Sequence, residues 1–209
     1  MPLPRLFDYL PPQSASAPPP GARVLVPLGR RKLVGIVTAG EGDGYFNSML
    51  RLGDGPRGRY HKRHLVPFGE YLPFDDWTRP VLDFLDIPMS DFSTGPEQQP
   101  LIRLAGHPVG VNICYEDAYG NEIIRALPQA RLLVNASNDA WFGDSLAPHQ
   151  HLEIARMRSL ETARYLLRAT NTGISAIIDE RGRLRAVSPQ FQTAVLTDRV
   201  VPLQGTTPF

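Results

Sequence analysis

The sequence predicts an α/β domain of layered helices and sheet, preceded by a small β-rich segment. Three observations indicate this arrangement. The 209 residues are 42% hydrophobic, which is enough to bury one sizeable core. Strand-like and helix-like segments alternate from residue 45 onward, as in domains whose helices cover a sheet. Residues 1–39 differ from the rest, because they hold eight of the 21 prolines and carry a local charge of +4.

The N-terminal segment is predicted to form two short strands, at residues 22–26 and 33–37, joined by a turn. Residues 11–20 read as a polar, proline-rich connector without periodicity. Glycine alternates with other residues over 39–44, which indicates a break between units. The chain is therefore divided into an N-terminal segment, a junction and a domain, at residues 1–39, 40–44 and 45–209.

The predicted elements of the domain follow in chain order: a strand at 45–52, a helix at 75–86, strands at 101–104 and 109–113, a short helix at 121–127, a buried strand at 131–135, a long helix at 149–170, and strands at 174–178, 184–187 and 193–201, with a hairpin turn at 179–182. The long helix is expected because its residues include neither glycine nor proline and are rich in leucine, alanine, arginine and glutamate. Pro148 stands at its start and Gly173 just past its end.

Composition excludes several classes of function. The net charge of +1 predicts no overall attraction to nucleic acid or to anionic lipid. No stretch approaches the ~18 uninterrupted apolar residues of a membrane-spanning helix, and no secretory signal is recognisable. A single cysteine excludes an internal disulfide and a cysteine-cluster metal site. His149 and His151 are spaced i, i+2 and so face different sides of a helix, which favours structural or solvent-facing roles over a metal site. We expect neither metal nor cofactor.

Cys114, the only cysteine, follows the apolar strand predicted at 109–113 and precedes a helix. Amide groups at a helix N-terminus favour the thiolate, so a cysteine at this place can act as a nucleophile. Most free cysteines are instead small buried hydrophobic residues. This segment alone leaves both interpretations open.

Two further stretches contain candidate functional residues. Lys62 can stabilise the oxyanion that forms when a thiolate attacks a carbonyl, with Glu70 setting its position or passing protons. A solvated surface charge is the commoner role of a lysine, and it is favoured for Lys62 without further context. Asn138, Asp139 and Trp141 follow a predicted buried strand, at the place where α/β proteins usually have their functional loops.

Three blocks resemble the catalytic domain of apolipoprotein N-acyltransferases: Tyr60 to Glu70, Cys114-Tyr115-Glu116, and Ser137 to Gly143. The resemblance covers residues 45–209. It implies a nitrilase-like α-β-β-α sandwich with a Glu-Lys-Cys triad, in which Cys114 takes an acyl chain from a phospholipid as a thioester. The acyl group then passes to the N-terminal diacylglyceryl-cysteine of a lipoprotein. By motif match, Cys114 is the nucleophile, Lys62 the oxyanion stabiliser and Glu70 a second essential glutamate, while Tyr115 and Glu116 support the nucleophile's loop.

The sequence also departs from the family's pattern. The general-base glutamate of the family lies in a Trp-Pro-Glu type of motif upstream of the lysine, and no such motif occurs here. The family resides in the bacterial inner membrane with its catalytic domain on the periplasmic side, but no flanking membrane helices are recognisable. The sandwich is therefore expected to be truncated on its N-terminal side. We expect acyl transfer by this chain to be weak, because a general base typically contributes ~10²–10⁴-fold.

The N-terminal segment resembles the start of the primosomal replication-restart helicase, in a region that binds the 3′ end of a DNA strand. The positions that match the end-binding pocket are Phe7, Asp8 and Gly29. The match is short, so we expect no DNA partner. Three alternatives to the acyltransferase remain: a soluble carbon–nitrogen hydrolase of the amidase or nitrilase type, a DNA-end-binding fragment, and a chimera without function of its own.

Overall fold

The computed structural model describes residues 36–41, 44–51, 58–67, 69–71, 73 and 92–209. The helix predicted at 75–86, the strand at 22–26 and the pocket positions Phe7, Asp8 and Gly29 lie outside these residues. The described helices and strands are β1 (Ile36–Glu41), β2 (Gly44–Leu50), β3 (Arg59–His61), β4 (Ile102–Leu104), β5 (His107–Ile113), α1 (Gly120–Ile123), β6 (Leu132–Ser137), α2 (Ala147–Thr162), β7 (Leu166–Thr170), β8 (Ala176–Ile178) and β9 (Leu184–Val187).

A mixed six-stranded sheet forms the centre of the described structure, with the strand order β4-β5-β6-β7-β8-β9. The three middle strands, β5, β6 and β7, run parallel, and the outer strands pair antiparallel. Parallel neighbours require crossover connections, and here α1 and α2 supply them. This order confirms the prediction of an α/β domain with helices covering sheet.

A second sheet of three antiparallel strands, β1-β2-β3, packs against one face of the large sheet, and α2 covers the opposite face. Met49 and Tyr60 from the small sheet share one hydrophobic cluster with Ile113 and Ala136 from the large sheet. On the opposite face, Leu152 of α2 packs in a cluster with strand residues such as Leu133 and Leu166. The described layers are therefore helix, sheet and sheet, each interface filled by buried apolar side chains worth about 2 kcal/mol apiece.

The predicted junction at 40–44 does not separate the strands on its two sides. Strands β1 and β2 pair antiparallel across it, with Glu41 opposite Gly44, so these residues form the end of a β-hairpin. Of the strand predicted at 33–37, the described residues Ile36 and Val37 lie in β1, which continues into the junction as far as Glu41. Alternating glycines mark a tight reversal as readily as a linker, because glycine enters turn conformations without steric cost. The division of the chain into two units remains a prediction.

The long helix was predicted to extend too far. It spans Ala147–Thr162 and begins with proline in its first turn, as expected, but it ends eight residues before Thr170. Ala163 takes the left-handed conformation (φ 48°) that commonly terminates helices. Leu166–Thr170 then forms β7, paired on both sides in the large sheet. Hydrogen bonds to two neighbouring strands override the helix propensity of Leu166, Arg168 and Ala169.

The strand predicted at 193–201 is also wrong. These residues form no helix or strand and are mostly exposed, with Val195 at 70% and Val201 at 51%. A strand needs a neighbouring strand to bond with, and none of the described strands pairs with this segment. Side chains hold the tail to the surface instead, through Arg185 to Asp198 and Arg164 to the carbonyl of Gly205. Within the described ranges, no helix has the length and apolar character needed to cross a bilayer.

Candidate active site

The carboxyl ends of the three parallel strands meet at one edge of the large sheet. Cys114 directly follows β5, Asn138 and Asp139 follow β6, and Asn171 follows β7. Such edges collect functional groups in α/β sheets, because loops from neighbouring strands converge there. The sheet therefore brings two of the predicted sequence blocks together.

Cys114 occupies a sharp turn between strand and helix. Its φ of 53° places a non-glycine residue in the left-handed region, and the 3₁₀ turn Cys114–Ala118 begins at this residue. The side chain is half-buried and packs against the cluster of apolar residues between the two sheets. A left-handed backbone at a non-glycine residue costs of order 1–3 kcal/mol and is concentrated at functional sites. The geometry favours the nucleophile over a buried filler residue.

Lys62 is buried rather than solvated. Its side chain is 1% exposed, and Nζ lies 2.6 Å from Oε2 of Glu70. The same glutamate accepts hydrogen bonds from the Val66 amide at 2.8 Å and, through Oε1, from Asn47 Nδ2 at 2.8 Å. A fully buried lysine is rare without a partner, so the ion pair explains how the ammonium group is held inside. The alternative of a surface charge is therefore excluded.

The strand ladder of the small sheet extends to Lys62. The Lys62 amide donates to the Asn47 carbonyl at 2.8 Å, which continues the strand ladder one residue past β3. Alternation along a strand places Lys62 on the same face as Tyr60. Tyr60 belongs to the cluster between the sheets against which Cys114 packs. Lys62 and Tyr60 are therefore expected to lie on the face of the small sheet that packs against the large sheet.

Glu116 links the two segments. Its carboxylate is 1% exposed and accepts hydrogen bonds from the amides of Ile113 (2.7 Å), Arg63 (2.7 Å) and His64 (3.2 Å) and from the Tyr60 hydroxyl (2.9 Å). Burial raises the pKa of Glu116, and the hydrogen bonds partly offset that rise. One side chain therefore fixes the turn of Cys114 against the backbone that follows Lys62.

Three further predicted residues, Tyr115, Trp141 and Asn138, lie at the outer edge of the candidate site. Tyr115 is 41% exposed, with its ring edge-to-face against Tyr119 at 5.3 Å. Trp141 is 74% exposed in the 3₁₀ turn Asp139–Phe142. Asn138 caps this turn by accepting from the Ala140 amide at 3.2 Å. These exposed rings next to the cysteine turn offer apolar surface to a ligand.

Asp139 is not a rim residue but part of a buried charged cluster that sequence reasoning missed. The cluster consists of Asp117, Asp139, His151 and Arg168. Both nitrogens of His151 lie 3.0 Å from a carboxylate, one from Asp117 and the other from Asp139. Arg168 contacts the same two aspartates at 3.1 Å each. The position of Asp117, three residues after the cysteine, could have indicated a place near the site. Arg168 offered no such indication, because it lies in a segment that was predicted to be helical.

The environment sets the protonation of this cluster. Burial works to lower the pKa of His151, but its hydrogen bonds with Asp117 and Asp139 outweigh it and raise the pKa to about 9. Burial works to raise the pKa of Asp139, yet the hydrogen bonds from His151 and Ser137 and the charge of Arg168 lower it. Gly173 allows this packing, because a Cβ at that position would overlap the Asp139 carboxylate. No group of three or more potential metal ligands occurs in the part of the chain that the structure describes.

Two family models match the chain. The carbon–nitrogen hydrolase model matches residues 27–204, and a model for a 3′ DNA-binding domain matches residues 1–47. The two matches overlap across the hairpin of β1 and β2. The second match confirms the resemblance of the N-terminal segment to the primosomal helicase.

Curated relatives carry the name apolipoprotein N-acyltransferase. The protein of Methylococcus capsulatus is 53% identical over 169 residues, which are 81% of this chain and 33% of that protein. The protein of Nitrosomonas europaea is 53% identical over 178 residues (85% and 36%), and that of Vibrio cholerae is 46% identical over 187 residues (85% and 37%). The chain spans about a third of the length of these relatives.

Solved structures agree on the fold. A CN-hydrolase superfamily protein of Xanthomonas campestris superposes with a TM-score of 0.59 at 18% identity, covering 80% of this chain and 62% of that one. A carbon–nitrogen hydrolase of Helicobacter pylori gives 0.55 at 16% identity, covering 74% and 56%. With a family model matched over residues 27–204 and relatives 53% identical over more than four-fifths of its length, the chain belongs to the carbon–nitrogen hydrolase family and is a homologue of the apolipoprotein N-acyltransferases.

Proposed function

We propose that the chain carries the acyl-transfer site of an apolipoprotein N-acyltransferase, with Cys114 as the nucleophile. The observation that carries the proposal is the left-handed turn at Cys114 in a chain that also buries the Lys62–Glu70 ion pair. The names of the relatives, at about 50% identity over four-fifths of the chain, support the substrates. The acyl donor would be a membrane phospholipid and the acceptor a diacylglyceryl-cysteine at a lipoprotein N-terminus. The site would work at the periplasmic face of the bacterial inner membrane.

In the first half-reaction the Cys114 thiolate attacks the ester carbonyl carbon of the phospholipid. The carbonyl oxygen becomes an oxyanion, which the Lys62 ammonium stabilises from the facing sheet. The ester C–O bond then breaks as the thioester is completed, and the lysophospholipid oxygen takes up a proton. Glu70 holds Lys62 in place through the 2.6 Å ion pair. Oxyanion donors of this kind contribute about 10²–10³-fold to the rate.

In the second half-reaction the amino group of the acceptor attacks the thioester carbonyl. The amine loses a proton, an amide bond forms, the C–S bond breaks and the Cys114 sulfur is restored. Dividing the transfer in this way replaces one difficult step by two easier ones. The exposed rings of Tyr115 and Trp141 would contact the apolar chains of donor and acceptor.

The thioester can be tested directly. The purified chain is incubated for hours with a fluorescent phosphatidylethanolamine in detergent micelles, a time that reveals even the slow acylation that the sequence predicts. We expect label on the protein that hydroxylamine removes, because hydroxylamine cleaves thioesters. Cys114→Ala should carry no label, and Lys62→Met should label about 10²–10³-fold more slowly. Label on Cys114→Ala, or wild-type labelling by Lys62→Met, would contradict these assignments.

A carbon–nitrogen hydrolase of the amidase or nitrilase type is the second candidate. The family model and the fold neighbours favour it, because they include hydrolases that share this architecture. Its cysteine would also form a thioester, but water rather than an amine would remove the acyl group. The two functions therefore differ in the acceptor, which can be measured.

A further inference from the structure

His151 contacts the turn that follows β5 and the turn that follows β6. Nε2 lies 3.0 Å from Asp117 in the turn that begins with Cys114. Nδ1 lies 3.0 Å from Asp139 in the turn that carries Trp141, and the imidazole ring packs edge-to-face against Phe142 of that turn at 6.2 Å. The residue stands in the first turns of α2, which covers this face of the sheet.

Both ring nitrogens of His151 must donate, because each faces a carboxylate that can only accept. The imidazole is therefore an imidazolium, in agreement with its raised pKa of about 9. The charged groups that face it among the described residues are Asp117, Asp139 and Arg168. Two cations thus balance two carboxylates in a place closed to water, where an unbalanced charge would cost several kcal/mol.

This balance matters for the nucleophile. Asp117 shares the five-residue turn of Cys114, and an unneutralised carboxylate there would oppose a thiolate on the same turn. Asn135 connects the cluster to the cysteine backbone, since its Oδ1 accepts from Arg168 at 2.6 Å and its Nδ2 lies 3.5 Å from the Cys114 carbonyl oxygen. The cluster lies on the helix face of the sheet, while Cys114 packs toward the other sheet.

We propose that His151 is a positioning residue that holds the Cys114 turn against the Trp141 turn and, by its positive charge, makes Cys114 more reactive. The role in catalysis rests on the proposed acyl transfer, but the effect on the thiol does not. A residue that only stabilised the fold would change the amount of folded protein and leave the pH dependence of Cys114 alkylation unchanged. Loss of the imidazolium leaves the cluster one charge more negative, so alkylation of Cys114 should require a higher pH.

The test measures alkylation of Cys114, the only cysteine, by iodoacetamide from pH 5 to pH 10 on folded protein. His151→Gln should shift the midpoint upward by about one unit. Asp117→Asn, which removes a negative charge with little change in size, should shift it downward. His149→Gln is the matched control, because His149 is exposed on the same helix two residues earlier, and its midpoint should equal that of the wild type.

The same variants are then labelled with fluorescent phosphatidylethanolamine, and the rate is expressed per folded molecule. His151→Gln should acylate about tenfold more slowly at pH 7 at saturating lipid, with the half-saturating lipid concentration unchanged. A wild-type alkylation midpoint in both His151→Gln and Asp117→Asn would overturn the proposal. If His151→Gln fails to fold, the downward shift in Asp117→Asn decides the matter. Absence of lipid label on the wild type, with the alkylation shifts present, would refute acyl transfer and leave the role of His151 intact.

Discussion

Glu116 shows how a single carboxylate can assemble a site from two sheets. Its four hydrogen bonds include three from main-chain amides, that of Ile113 at the end of β5 and those of Arg63 and His64 just after Lys62. A carboxylate is suited to this task because it accepts at two oxygens and donates at none. Any replacement that can donate a hydrogen bond places two donors face to face.

We expect Glu116→Gln to lower the free energy of unfolding by about 2 kcal/mol, because its amide group would face a main-chain donor. Glu116→Ala should lower it by about 4 kcal/mol, since it leaves four donors without partners in a buried place. Urea denaturation followed by circular dichroism measures both. Glu97→Gln is the control, because that side chain is 81% exposed in its ion pair with Arg125, and its effect should stay within about 0.5 kcal/mol. An effect of Glu116→Gln as small as the control's would refute this role.

The sequence alone proposed Cys114, Lys62 and Glu70 as site residues, because their types and spacing match a family motif. It could not reveal His151 and Arg168 as partners of Asp117 and Asp139. These side chains come from four separate elements and meet only after the parallel strands have been aligned. The i, i+2 spacing of His149 and His151 indicates that they lie on different faces of the helix. It does not indicate that His151 contacts two carboxylates.

The transition from α2 to β7 is the element whose prediction failed. Residues 149–170 have a composition that suits a helix throughout, yet the chain reverses at Ala163, which takes φ 48° without being glycine. Composition cannot reveal such an end, because the reversal is imposed by β7 pairing between β6 and β8. Tertiary pairing here costs the strain of one left-handed alanine.

Ala163→Gly should raise the free energy of unfolding by about 0.5–1 kcal/mol, because glycine adopts the left-handed conformation without the Cβ penalty. Thermal unfolding measures the change as a higher Tm. Ala155→Gly in the interior of the same helix is the comparison, and it should destabilise by about 1 kcal/mol or more, since it weakens the helix and removes a buried methyl group. A destabilising Ala163→Gly would mean that the helix does not end as described.

At the scale of the whole molecule, the layered α/β class and most strands were predictable, since β2, β5, β6 and β9 each follow a clear apolar or alternating pattern. The pairing of β1 with β2 across the expected junction was not predictable, because a stretch of alternating glycines also suits a linker. The small sheet docks on the large one through Met49 and Tyr60, and Cys114 packs against the same cluster. The site is thus a property of the two sheets jointly.

The central claim is that Cys114 transfers an acyl group to an amine, and a chase experiment tests it most directly. The chain is first acylated with phosphatidylethanolamine, freed of excess lipid, and then mixed with a synthetic peptide that begins with diacylglyceryl-cysteine. Mass spectrometry follows the peptide, the protein and free fatty acid. We predict loss of the thioester from Cys114 with appearance of a peptide heavier by one acyl group, in a bond that resists hydroxylamine. Release of free fatty acid alone, at the same rate with and without peptide, would contradict the claim and identify a hydrolase.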